Sequence, residues 1–147
     1  MGLTEEIGAG PVALDTAVFI YFVEEHPAFV GPVQELLAAT AAGRLAAVTS
    51  ALTLLEVLVV PLRHGNRAVA ERYEALLTRS RGLRMVPLGL DQLRTAAQVR
   101  AAHPTTRTPD ALQLAAALTT GCNAFVTNDR RLPSMPALRI FQLAEWI

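Results

Sequence analysis

Apolar positions fall in short runs separated by polar junctions along the whole chain. Pro11-Val12-Ala13-Leu14 ends at Asp15, and a strongly apolar segment, Thr16–Val23, follows it. Strand then helix is the simplest parse, although β-branched and aromatic residues here separate the two poorly by periodicity. Phe29–Ala42 sets Val33, Leu36 and Leu37 among alanines, which predicts a helix closed by Gly43. Leu45–Val48 reads as the next strand. A second buried helix is expected from Ala51 to Val60, kinked or ended by Pro61, which lacks a backbone donor. After the turn-like Arg63-His64-Gly65-Asn66, Val69, Tyr73, Leu76 and Leu77 mark an amphipathic helix.

Further along, Arg84–Leu88 reads as a strand, with Asp91 as N-cap of a helix through Leu93, Ala96, Ala97 and Val99. Thr108-Pro109-Asp110 opens another helix, with threonine as cap, proline first in the helix and an acid in the first turn. Ala124–Thr127 is a strand ending at Asn128-Asp129, and Leu138–Leu143 adds a last edge strand. Strands alternating with helices predict an α/β sandwich around a mainly parallel sheet. With no repeat, low-complexity tract or long linker, residues 1–147 read as one domain.

Composition narrows the class. With 52% hydrophobic and 18% charged residues, the chain is excluded from intrinsic disorder. A single cysteine, Cys122, excludes an intrachain disulfide framework and fits a reducing compartment. The longest uncharged stretch, Ala111–Asn128, contains Gln113 and the break Thr119-Thr120-Gly121-Cys122-Asn123, so it reads as helix, turn and strand instead of a membrane span. The first residues carry Glu5 and Glu6 and lack the layout of a secretory signal; the expected location is the cytoplasm. Thirteen basic against thirteen acidic residues give no general pull toward nucleic acid, so any such binding must be local. All the basic residues are arginine, whose planar fork suits phosphate, but for most of them a solvated surface is the preferred reading.

The chain has only four aspartates, and all but Asp91 lie at junctions between apolar elements. In open α/β sheets that edge is where ligands bind. Glu56 is the only charge in the decamer Ala51–Val60, and an isolated buried carboxylate is costly unless compensated. Carboxylates that converge repel one another unless a cation sits between them. An all-oxygen set without histidine or cysteine suits a hard ion, Mg²⁺ or Mn²⁺, which activates water and stabilises a leaving oxygen in phosphodiester cleavage. Structural readings stand beside this one. Asp110 can serve its helix dipole, Thr53-Leu-Leu-Glu56 matches a capping box, and Asp15 and Asp129 can satisfy turn donors. His26, His64 and His103 sit in loops beside proline or glycine and form no metal-spacing pair. Cys122 reads as a small packing residue.

The ordered blocks Val12-Ala-Leu-Asp15-Thr-Ala-Val-Phe-Ile, Thr49-Ser-Ala-Leu-Thr53-Leu-Leu-Glu56-Val, Thr108-Pro-Asp110-Ala-Leu-Gln-Leu-Ala-Ala-Ala and Phe125-Val-Thr127-Asn-Asp129-Arg-Arg-Leu132 together resemble PIN-domain nucleases. Within them the chain looks most like the short VapC-type toxins of toxin-antitoxin pairs. The resemblance covers nearly the whole chain. It implies a three-layer α/β/α sandwich with acids gathered at the C-terminal edge of the sheet, binding Mg²⁺ or Mn²⁺. Position by position, Asp15, Glu56 and Asp110 match the three core acids and Asp129 the fourth; Thr16 and Thr127 match hydroxyl positions beside them. Many relatives have asparagine where this chain has Ala17, so an amide able to orient Asp15 is lost.

The implied activity is metal-dependent endonucleolytic hydrolysis of RNA without a protein nucleophile. Arg130 and Arg131 stand ready for substrate phosphates or for solvent. The implied partners are a small antitoxin lying across the active-site groove and a second copy in a homodimer. Two rivals remain open: a catalytically inactive PIN-fold module that binds RNA or protein, and a phosphatase using Asp15 as nucleophile. The second rival lacks the aspartate usually found two residues on, where this chain has Ala17.

Overall fold

The structure is a computed structural model, and the residues described are 2–147. In chain order the elements are α1 (Leu3–Ile7), β1 (Val12–Leu14), α2 (Thr16–Val23), α3 (Val30–Ala41), β2 (Ala47–Ser50), α4 (Leu52–Arg63) and α5 (Arg67–Arg79). Then come β3 (Leu83–Val86), α6 (Leu90–Ala102), α7 (Thr108–Thr119), β4 (Ala124–Thr127), β5 (Arg139–Gln142) and a short 3₁₀ turn (Leu143–Glu145). The five strands form one sheet in the order β3-β2-β1-β4-β5, and every adjacent pair is parallel.

Period-2 alternation along the strands divides the core in two. Val12, Leu14, Ala47, Ala124 and Val126 face one side, where Val18, Phe19, Val33, Leu36, Val57, Tyr73 and Leu77 of α2–α5 cover them. Ala13, Val48, Val86 and Phe125 face the other, against Ala96 and Val99 of α6 and Ala111–Ala117 of α7. Three layers result, α/β/α. Strands β1, β2 and β4 are buried along their whole length, which explains why β1 and most of β4 are apolar, while Thr49 and Ser50 of β2 hydrogen-bond their hydroxyls internally.

Several local expectations shift. The second strand lies at Ala47–Ser50, two residues later than Leu45–Val48, because pairing with β1 and β3 sets its register. Helix α4 runs through Pro61 to Arg63; the proline lies in the last turn, where few bonds remain to lose. That helix is also not buried all round, since Leu55, Val59, Val60 and Leu62 are exposed. Gly89, not Asp91, is the N-cap of α6, and Asp91 sits in the first turn. Arg107 is likewise the N-cap of α7, with Thr108 already helical. Helix α1 had no sequence expectation; it buries only Leu3 and Ile7, too little for a periodic signal.

Two tight points hold the layers. Buried Gln92 of α6 accepts the Ser50 hydroxyl at 2.7 Å and donates to the Pro87 carbonyl at 2.7 Å, tying the end of β2 to the second layer. Gly82, before β3, has φ +80°, and a Cβ there would collide with the Thr40 carbonyl of α3.

Candidate metal centre

Strand β1 is central, and the chain leaves it in both directions. Helices α2–α5 cover one face on the way to β3, and α6 and α7 cover the other before β4. The connections that leave neighbouring β1 and β4 therefore run toward opposite edges of the sheet, which leaves a crevice at their C-terminal ends. Asp15 is the first residue after β1, and Asp129 comes two residues after β4. The Asp15 N–H bonds the Val126 carbonyl at 3.0 Å, joining the two strand ends.

Asp15 is the N-cap of α2, with Oδ1 accepting the Thr16 N–H at 2.8 Å. Its Oδ2 accepts the fully buried Thr127 hydroxyl at 2.6 Å. Burial pushes the carboxyl above the ordinary aspartate range. The two hydrogen bonds oppose that push, and the negative charges of Glu56 and Asp110 add to it. Glu56 and Asp110, distant in sequence, thus both lie within electrostatic reach of Asp15.

Glu56, on α4, is half-buried and accepts the Thr16 hydroxyl at 2.7 Å through Oε1. The capping-box alternative for Thr53 and Glu56 is overturned, because Ala51 is the N-cap and no side chain caps the helix. Thr53 instead belongs to a buried polar chain of definite direction. The Thr49 hydroxyl donates to the Leu14 carbonyl at 2.8 Å, so in the 2.7 Å contact with Thr53 it must accept. Thr53 in turn accepts from Gln113 Nε2 at 2.9 Å. The same amide nitrogen lies 3.2 Å from Thr16 Oγ1 and 3.4 Å from Glu56 Oε1.

Gln113 was not singled out for the site from sequence. Its signal was there: it is the only amide in the apolar run Ala111–Leu118, three residues after Asp110 and so on the same helix face.

The outer acids are held by arginines. Asp110, in the first turn of α7, meets Arg107 Nε at 3.3 Å. Asp129 takes a two-pronged grip from Arg131, with Nε and Nη2 both at 3.0 Å, and also accepts the Arg131 backbone N–H at 2.9 Å. These bonds hold its carboxyl below the usual aspartate range, the Arg131 side-chain bond being the largest cause. Arg130 turns away to Glu145, 3.4 Å off. Asp15, Ala17, Tyr21, Asn128, Asp129, Arg130 and Arg131 line an open pocket of about 430 Å³, while Glu56 lines a separate groove with Val57 and Tyr73.

Among the described residues no three His, Cys, Asp or Glu side chains converge closely enough to hold an ion between them. The outer two acids are turned toward arginines. The donor chemistry nonetheless suits a hard dication. Asp15 is a half-buried carboxylate within reach of two other negative charges, and among the described residues neither it nor Glu56 has an ion-pair partner. Magnesium needs only one or two carboxylates, with water and substrate phosphate completing its shell.

A family model described as the PIN domain matches residues 12–138. No curated protein matches the sequence. Among solved structures the chain is similar to VapBC2 from Rickettsia felis bound to a DNA fragment from its promoter, at 15% identity and TM-score 0.71, over 89% of this chain and 97% of that one. It is similar to VapC20 of Mycobacterium tuberculosis, described as a toxin cleaving the sarcin-ricin loop, at 19% identity and TM-score 0.67, over 82% and 91%. DNA-bound VapBC from Salmonella typhimurium is similar at 19% identity and TM-score 0.65, over 90% and 98%.

Proposed function

Because the chain belongs to the PIN-domain family, we propose that it is a Mg²⁺- or Mn²⁺-dependent endoribonuclease and the toxin of a toxin-antitoxin pair. The observation that carries this reading is that Thr16 joins two acids distant in sequence at the C-terminal edge of the sheet, its N–H bonded to Asp15 and its hydroxyl to Glu56. Asp15 and Glu56 would hold the ion, with Asp110 and Asp129 completing the acidic set directly or through water. When bound, a hard dication activates water for attack on phosphorus and stabilises the departing oxygen.

The chain's own residues supply position. Thr127 and the Thr16 N–H fix both oxygens of Asp15. Thr16 and Gln113 fix Glu56. The reading needs no side-chain nucleophile, and Cys122 is buried, with its thiol pushed up by burial.

The exposed leucines and valines of α4 beside the Glu56 groove support a protein partner, read here as a small antitoxin laid across the site. The named toxin-antitoxin complexes of similar fold support the same reading. A homodimer is proposed from the resemblance to VapC-type toxins.

The test is cleavage of RNA by purified protein in Mg²⁺ or Mn²⁺, with Asp15→Asn and Asp110→Asn as controls. Metal-dependent cleavage lost in both variants supports the reading. Metal-independent cleavage, or cleavage retained by both, overturns it. RNA binding without cleavage favours the inactive module, and phosphatase activity alone favours the other rival.

A further inference from the structure

Two exposed arginines sit on acids that the proposed chemistry assigns to a cation. Arg107 and Arg131 occupy the carboxylates of Asp110 and Asp129, whereas Asp15 and Glu56 have no such partner among the described residues. The four groups form one cluster. The Arg107 charge reaches Asp129, and the Asp110 charge reaches Arg131.

We propose that Arg107 and Arg131 are exchangeable counter-ions. They neutralise Asp110 and Asp129 in the metal-free protein and, displaced when a dication takes those acids, swing to the phosphates of the RNA. The inference rests on the nuclease reading of the site and adds a regulation to it.

Three features suit an exchange over a fixed structural bridge. Both guanidiniums are open to water, with Arg107 and Arg131 side chains 61% and 71% exposed, so each can leave its carboxylate without crossing the protein interior. Their backbones stay anchored when the side chains leave. Arg100 grips the Arg107 turn through the Thr106 carbonyl and the Thr108 hydroxyl, each at 3.0 Å, and Asp129 keeps the Arg131 backbone N–H. Finally, a planar fork that fits a carboxylate fits a phosphate equally well. Arg130, paired with Glu145, takes no part in the cluster.

The experiment uses the full chain as wild type, Arg107→Ala, Arg131→Ala and Arg131→Lys, each checked for an unchanged melting temperature. Calorimetric titration with Mn²⁺ alone is expected to give roughly two- to fivefold tighter binding in each alanine variant. Arg131→Lys, which keeps the charge and loses the fork, is expected to fall between wild type and alanine. Anisotropy of a short fluorescein-labelled oligoribonucleotide is then read in Ca²⁺, to hold off turnover, and in EDTA. In Ca²⁺ each alanine variant binds RNA more weakly and loses about 0.7 from the slope against log salt. In EDTA, where the arginines are engaged, the same variants lose less than in Ca²⁺. Unchanged or weaker Mn²⁺ binding, or an equal RNA loss in EDTA and Ca²⁺, overturns the exchange. Wild type that binds no dication overturns the nuclease reading itself, so the two failures are distinguishable.

Discussion

Thr127 donates its hydroxyl proton to Asp15 at 2.6 Å, and the same oxygen accepts the Asp129 N–H at 3.1 Å. One buried hydroxyl therefore sets the distance between the acids that follow neighbouring strands β1 and β4. Thr127→Val keeps the shape and removes both bonds. Hydrogen bonds to charged groups contribute about 1.5–3 kcal/mol, so stability should fall by roughly that much and RNA cleavage by at least about tenfold. Thr127→Ser should keep most of both. Urea melts and initial rates check it.

Burial raises the Asp15 pKa, with Glu56 and Asp110 adding to the rise, so the sign of its linkage is the unusual one for a carboxylate. Its protonated form favours the folded state. That contribution is fully present below the unfolded aspartate value and is lost as pH rises through the folded one. In EDTA at neutral pH, Asp15→Asn should therefore melt a few degrees above wild type, and the gap should close on acidification below the ordinary aspartate range. Added Mg²⁺ should raise the melting temperature of wild type more than that of the variant. Scanning calorimetry across pH measures all three.

Gln113 is 3% exposed and donates toward Thr53, Thr16 and Glu56. Gln113→Leu should leave RNA binding near wild type and lower turnover, because Glu56 loses a donor that orients it. Gln113→Glu sets a second buried carboxylate against Glu56, so it should be less stable than the leucine variant at neutral pH and recover in acid. A kcat-against-KM comparison and pH-dependent melts separate the two effects.

Gly82 combines a left-handed φ with contact against the Thr40 carbonyl. Gly82→Ala should cost about 1–3 kcal/mol through strain at the α3–β3 junction. Because the site lies elsewhere, cleavage by the folded fraction should be unchanged. Denaturant midpoints, read beside activity per folded molecule, check this.

Much of the architecture was legible because parallel strands buried on both faces leave apolar runs, and their ends fall on Asp15 and Asp129. Less legible were elements whose limits depend on distant partners. Strand β2 begins where β1 and β3 can pair with it, and Asp91 looked like a cap although Gly89 holds that position. The decamer around Glu56 looked buried all round because composition cannot say which side of a helix lacks a neighbour; α4 leaves Leu55 and Val59 in solvent.

The order of residues alone determined the alternation of strands and helices and the junction positions of Asp15, Asp110 and Asp129, since these follow from local periodicity and capping chemistry. Tertiary structure decided which side chains meet across the sheet edge. It brought Gln113 to Glu56 across 57 positions of sequence and Thr127 to Asp15 across 112. The physical reason is that such contacts depend on how the strands order and where the chain switches faces, and no local pattern encodes either.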